Sequence, residues 1–258
     1  MMAMLTWQFP TPDEAMVRGG GMLGHVDVAT GSGILHVSRR FANGARFHLE
    51  VIEGTPQILI IRRDRHPVHA AALRRGDVAL LLHGPSGVGK STLAYLAYRA
   101  GIDVLSDDST KVQLEPELRV WGDGSPARVQ LLEQARRDFP ELAQGEPRTS
   151  TGDVAPPKIP VDTRREGRPF RPYVRQARVC LLSRDARPID RSAVAPDEIR
   201  RALLDAPEAV LDLNPGARAQ VAAALAGDGG WRLKLSDDVN AALPHLLAMF
   251  DEAPVIPI

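Results

Sequence analysis

The sequence predicts an α/β fold, with a β-rich segment over residues 1–65 and a larger domain over 66–258 built around a strand, a glycine-rich loop and a helix. Three observations predict it. An apolar run at 78–82 feeds a loop dense in glycine at 84–91, and a helical pattern then runs to Gly101, a C-terminal cap. Short apolar or alternating runs divided by glycine turns fill the first third. Strand-like runs at 174–182 and 231–235 are interleaved with helical patterns in the last third.

In chain order, 33–38, 46–51 and 57–61 read as strands, and 68–73 and 78–82 lead into the loop. The helix over 91–100 is followed by a short strand, 102–105, that ends on Ser106-Asp107-Asp108. Residues 129–139 carry helical spacing and charge. Residues 144–172 are rich in Gly, Pro, Arg and Thr, include Pro156-Pro157 and Arg164-Arg165, and read as a long exposed loop. Then come a strand at 174–182, helices at 196–204 and 217–225, a strand at 231–235, and a closing helix over 236–250 for which Ser236-Asp237-Asp238-Val239 offers a capping residue. The tail 254–258 reads as frayed.

A chain of 258 residues suits one large domain, or one domain with an appendage. Its 44% hydrophobic and 25% charged composition is that of a globular protein. The 32 basic residues balance 32 acidic ones, which argues against a general nucleic-acid binder. The one cysteine, Cys180, lies in an apolar run and reads as a core residue; alone it forms no intrachain disulfide or zinc cluster. No run approaches the ~18 apolar residues of a membrane span, and the first residues lack a basic stretch followed by an apolar one. These readings point to a cytoplasmic protein with no membrane partner.

The loop reads Gly84-Pro85-Ser86-Gly87-Val88-Gly89-Lys90-Ser91, the G-x-x-x-x-G-K-S pattern of a nucleoside triphosphate phosphate loop. The chemistry needs each part. Glycines let successive N–H groups curl around an anion without a Cβ in the way. Lys90 supplies a mobile cation for the outer phosphates, and the Ser91 hydroxyl suits Mg²⁺. Gly84, Ser86, Gly87, Val88, Gly89, Lys90, Ser91 and the following Thr92 are thus the candidate nucleotide contacts. A strand and a helix flanking the loop put the phosphates at a positive helix end.

A phosphate loop names no reaction, and the neighbouring acids narrow it. Asp107 and Asp108 follow Lys90 by only 17 and 18 residues, so one helix and one strand return the chain beside the phosphates. Two adjacent carboxylates point in different directions, one free to face metal and the other an incoming hydroxyl. His69, 21 residues before Lys90, lies on the element ahead of the loop strand, where an imidazole can pair with a carboxylate. His83, directly before the loop, fits packing better than nucleotide contact. Lys158 sits where a loop lysine could close over the γ-phosphate or simply be solvated. Arg148, Arg164, Arg165, Arg168 and Arg171 could receive an acidic substrate or face solvent. Glu133 and Glu141 are weaker metal candidates.

His69, the 84–91 loop and the Asp107-Asp108 doublet together resemble the catalytic core of the HPr kinase/phosphorylase family, in order and in spacing. The resemblance covers roughly 68–109, including the internal Ser86-Gly87 and the segment Gly101-Ile102-Asp103-Val104-Leu105-Ser106-Asp107-Asp108. It implies a protein kinase with a sheet similar to that of phosphoenolpyruvate carboxykinase, using ATP and Mg²⁺. It implies Asp107 as the base that takes the hydroxyl proton, His69 as the group orienting Asp107, Asp108 and Ser91 as metal ligands, and Lys90 on the phosphates. Phosphoryl transfer asks for in-line positioning, charge neutralisation and a proton acceptor, which these residue types supply.

The chain also departs from the family. The β-rich segment is short for the N-terminal domain of the bifunctional enzymes. Arg165-Glu166-Gly167-Arg168 is a poor match to their glutamate-arginine-glycine signature, so a kinase without phosphorylase activity is expected, and a homo-oligomer is left open. Short relatives of this kind resemble kinases that phosphorylate a serine of ribosomally made precursor peptides, lasso peptides among them. The expectation is a serine or threonine kinase acting on a peptide or small protein. A kinase for a small-molecule hydroxyl and a non-catalytic nucleotide-binding regulatory module are the alternatives.

Overall fold

The computed structural model describes residues 6–42, 54–122, 128–148, 156–165, 172–184, 188–205, 215–227 and 229–253. They form a mixed α/β protein of two compact units, one made of the described residues up to Arg65 together with Pro156, the other of those from His66 onward.

The first unit is an antiparallel meander of four strands in spatial order, β1 (Thr6–Thr11), β2 (Glu14–Gly19), β3 (Met22–Asp27) and β4 (Ser32–Val37). The β2–β3 turn is Gly20-Gly21, both at positive φ (57° and 91°), the conformation that a tight hairpin twisted with its strands demands. Alternation buries Ala15, Val17, Met22 and Val26 on one face. Phe41, on the short helix α1 (Arg39–Ala42), packs against Val17 and Met22.

Helix α2 (Gly54–Arg62) replaces the strand expected over 57–61. Ile58 and Ile61, three apart, are its buried residues, and Pro56 sits in the first turn, where a missing N–H costs no helical bond. An apolar run this short does not distinguish strand from helix by its pattern alone. The strand expected over 46–51 lies outside the described residues.

The second unit is a nine-stranded sheet. Its strands are β5 (His66–Arg75), β6 (Val78–His83), β7 (Asp103–Ser106), β8 (Ser109–Gln113) and β9 (Arg119–Trp121), with the two-stranded ribbon β10 (Arg128–Leu132) and β11 (Lys158–Asp162) apart from it. β12 (Tyr173–Val174), β13 (Gln176–Arg184), β14 (Asp190–Val194) and β15 (Gly230–Leu235) complete the sheet. The order is β12-β9-β8-β5-β6-β13-β15-β14, with β7 also on β5. β6, β13 and β15 run parallel, so His83, Arg184 and Leu235 all close strands at one end of the sheet. Open α/β sheets bind ligands at the carboxyl ends of such strands.

Helices cover both faces. Leu93 and Leu96 of α3 (Lys90–Arg99) and Leu246 and Met249 of α6 (Leu243–Asp251) pack with Leu80, Leu82 and Leu233 on one side. Ile199 and Leu203 of α4 (Pro196–Asp205) and Val221 and Leu225 of α5 (Pro215–Ala226) pack with Leu81 and Val179 on the other. Cys180 is fully buried, and burial pushes its thiol well above the ordinary range, as suits an inert core residue.

Three further expectations change. The helix expected over 129–139 is strand β10 followed by a 3-10 turn, Glu133–Arg137. Val129 and Leu131 are buried and their neighbours are not, a period of two; only Ala135 and Phe139 keep helical spacing. The loop expected over 144–172 contains β11, which pairs with β10 from Leu132↔Lys158 to Arg128↔Asp162. The closing helix begins as a 3-10 turn, Val239–Ala242, whose cap is Asp238 of the 236–239 segment, accepting from the Asn240 N–H. The tail 254–258 lies outside the described residues.

Candidate active site

The phosphate-loop sequence runs from the end of β6 into α3. Gly84 needs its bare backbone: a Cβ there would lie 2.8 Å from the Leu182 carbonyl oxygen on β13. Gly87 and Gly89 adopt φ of 78° and 122°, conformations that L side chains rarely reach. Ser86 and Gly87 are exposed, whereas the Val88 side chain enters the core and anchors the turn. α3 starts at Gly89 with no side-chain cap and no acid in its first turn, so its N-terminal N–H groups and positive dipole end are presented to an anion. Ser91 and Thr92 lie on that first turn. The far end of α3 closes in a Schellman turn, with Ile102 N–H bonded to Ala97 O and Gly101 N–H to Tyr98 O.

Lys90 is buried at 6% exposure, and its Nζ donates to the carbonyls of Gly84 (2.8 Å) and Pro85 (3.2 Å). The ammonium is thereby held against the start of its own loop.

The acid doublet sits where β7 passes into β8. Both strands pair with β5, and Asp107 and Asp108 fall opposite Ala70 and Ala71, between the pairs Ala72↔Ser106 and His69↔Ser109. The Ala70 N–H donates to Asp108 O at 3.0 Å and the Thr110 hydroxyl to Ala70 O at 2.8 Å, which pins the break in the strand.

The two carboxylates then diverge. Asp107 is buried at 6% exposure, with Oδ2 accepting from the Gln130 N–H of β10 at 2.8 Å and the Ser91 hydroxyl close enough to act on its carboxylate. Burial is the largest influence on it and pushes the carboxyl up to about 6. The Gln130 hydrogen bond and the nearby Ser91 hydroxyl oppose that, the Asp108 charge adds to it, and the Lys158 charge opposes it. Asp108 is two-thirds exposed, its Oδ1 3.3 Å from His69 Nδ1. The imidazole expected to orient Asp107 meets Asp108: the strand break turns Asp107 toward the loop serine and sets Asp108 beside His69.

Lys158 lies on β11 rather than on a loop, close enough for its charge to act on Asp107. The arginines near it serve the fold. Arg165 donates to the carbonyls of Tyr98 and Ile102 at the end of α3 and stacks on the Tyr98 ring, and Arg164 grips Asp162. Arg168 and Arg171 lie outside the described residues. Glu141 pairs with Arg99 at 3.0 Å and Glu133 with Arg136 at 2.9 Å, so both are spoken for by arginines rather than turned to a metal.

His83 packs, as its neighbourhood suggests. Its Nδ1 lies 2.9 Å from His69 O and its Nε2 3.2 Å from Ala202 O, and burial holds its pKa below the ordinary value. It ties the loop strand to the His69 strand and to α4. Two members of the site carry no signal in a motif. Gln130 acts through its main-chain N–H, which any residue but proline could supply. Arg184, at the end of β13, donates Nε–H to Val88 O of the loop at 3.0 Å, a contact only the sheet order creates.

Among the described residues no group of three or more His, Cys, Asp or Glu side chains is placed to hold a metal by itself. Ser91 and Asp107 instead offer two hard oxygen ligands near enough to act on one another, which fits an ion that takes one or two protein oxygens and completes its shell with phosphate and water. No helix among the described residues is long and apolar enough to cross a membrane.

No family model and no curated protein matches this chain by sequence. Among solved structures it is similar to the Hpr(Ser) kinase/phosphatase from Coxiella burnetii, with 17% identity over 72% of this chain and 96% of that one and a TM-score of 0.34. That score lies below the level at which two chains can be said to share a fold.

Proposed function

We propose that this chain is an ATP- and Mg²⁺-dependent phosphotransferase that acts on a serine or threonine hydroxyl of a peptide or small protein. The observation that carries the reading is the split of the acid doublet: Asp107 buried and held by the Gln130 N–H beside the phosphate-loop serine, Asp108 against His69 at the surface. The motif resemblance over 68–109 supports the same reaction.

Ser91 and Asp107 would hold Mg²⁺, which when bound neutralises charge on the phosphates. Lys90 and the loop N–H groups bind and orient the phosphates. Asp108 takes the acceptor hydroxyl proton as that oxygen bonds to the γ-phosphorus and the oxygen bridging to the β-phosphate departs with ADP. His69 steadies the Asp108 carboxylate in this role. The roles of the two acids are thus exchanged relative to those the family resemblance implies, because the imidazole partners Asp108. A base two-thirds exposed suits a hydroxyl carried on a large, chain-like acceptor better than a metabolite enclosed in a cavity. A ribosomally made precursor peptide is the acceptor class the resemblance suggests.

Incubation with γ-labelled ATP, Mg²⁺ and candidate peptides, read by mass spectrometry, tests the reading. A phosphorylated peptide with wild type, none with Asp108→Asn and weakened ADP binding with Lys90→Ala are expected. ADP released only with a small hydroxyl compound would replace the peptide by a metabolite. Nucleotide binding with no transfer to any acceptor, unchanged by Asp108→Asn, would make the chain a nucleotide-binding module.

A further inference from the structure

Arg184 stands outside every role assigned above, yet it reaches the phosphate loop from a different strand. It is the last residue of β13 and is paired with Leu235 of β15. Its Nε–H donates to Val88 O at 3.0 Å, and its Nη2 lies 3.3 Å from where a Cβ on Gly89 would stand, beside Leu235 Cδ1 at 3.4 Å. The guanidinium thus occupies the same side of the loop as a core residue of the sheet.

The peptide joining Val88 to Gly89 is planar and trans, so its C=O and N–H point in opposite directions. A carbonyl held on Arg184 aims the Gly89 N–H to the side away from the guanidinium. Gly89, at φ 122° and ψ 15°, has the freedom to let this peptide turn over, because it lacks a Cβ. If the peptide turned over, a carbonyl would replace an N–H where an anion must sit.

We infer that Arg184 is a positioning residue for nucleotide phosphate: it locks the Val88–Gly89 peptide in the orientation that presents a backbone donor to the phosphates. The inference rests on the phosphate-loop reading of the site. It assigns to an arginine at a strand end, 94 positions from Lys90, a share in the affinity for ADP and ATP.

Calorimetric titration of the full chain with ADP tests it, alongside melting temperature and the KM and kcat for ATP. Arg184→Met keeps the stem and removes the donors. It is expected to weaken ADP binding and raise the KM for ATP about tenfold, with kcat at saturating ATP and the melting temperature little changed. A purely structural role would lower the melting temperature and the active fraction but leave KM alone. Should Arg184→Met fail to fold, Arg184→Lys, which keeps one donor within reach, is expected to lose a few-fold in ADP affinity. Wild type that binds ADP, with a folded Met or Lys variant that binds it equally well, overturns the role of Arg184 alone. Wild type that binds no ADP overturns the phosphate-loop reading and this inference with it.

Discussion

His69 Nδ1 lies 3.3 Å from Asp108 Oδ1, while Asp107, one residue earlier, accepts from the Gln130 N–H at 2.8 Å with the Ser91 hydroxyl close enough to act on its carboxylate. Adjacent carboxylates thereby serve two partners, one on the phosphate loop and one on β5. The separation follows from a strand that breaks between β7 and β8 while keeping its pairing with β5.

Asp108→Asn keeps the shape of the side chain and removes its basicity. Phosphoryl transfer is expected to fall by about 10²–10⁴-fold in kcat, the range for losing a general base, with ADP affinity kept. Steady-state kinetics beside a binding titration would check this. A variant with wild-type kcat would return the base role to another group.

His69→Gln removes the imidazole from Asp108 and leaves the main-chain carbonyl that His83 contacts. The kcat should fall by less than in Asp108→Asn, and the double variant should be no worse than Asp108→Asn alone, because both changes act on one unit. Additive losses would show that His69 works independently of Asp108.

Burial holds the Asp107 carboxyl at about 6 against an ordinary 3.8. Between those values the folded chain keeps a proton that the unfolded chain has released, so stability falls as pH rises through that window. Above it the folded chain carries the whole cost of a buried carboxylate, on the order of 3 kcal/mol. In metal-free buffer, Asp107→Asn should therefore melt above wild type at about pH 8, with the gap closing at about pH 4, even as transfer activity is lost. Thermal melts across that range would decide it, and a gap independent of pH would contradict the assigned burial of charge.

Gly84→Ala places a methyl group 2.8 Å from the Leu182 carbonyl oxygen, so the loop has to move off β13. A loss of about 1–3 kcal/mol in folding stability is expected, together with weaker ADP binding, read by denaturant melts and titration. Full affinity in a folded variant would show that the loop tolerates displacement.

Much of the site was legible along the chain because its parts are local. The loop, its strand and its helix are consecutive, and the conformations of Gly87, Gly89 and Gly101 follow from residue type. β1, β2 and β3 lie outside the runs that read as strands in the sequence; the alternation of Ala15, Val17, Met22 and Val26 emerges only when the hairpins pair. Residues 57–61 and 129–139 were not legible, because short apolar runs fit either period until their neighbours choose the buried face. Lys158 looked like a loop residue until β10 offered β11 a partner 26 residues earlier, at Leu132.

By itself the sequence determined that a glycine-rich loop of phosphate-binding pattern stands between a strand and a helix, and that two acids and a histidine flank it in order. Glycine conformations, helix-end donors and the reach of a lysine are properties of consecutive residues. Only the tertiary structure decided which acid meets which partner and brought Gln130, Lys158 and Arg184 to the site. Sheet register and strand order are long-range pairings, set by which faces can be buried together, and no local pattern of residues encodes them.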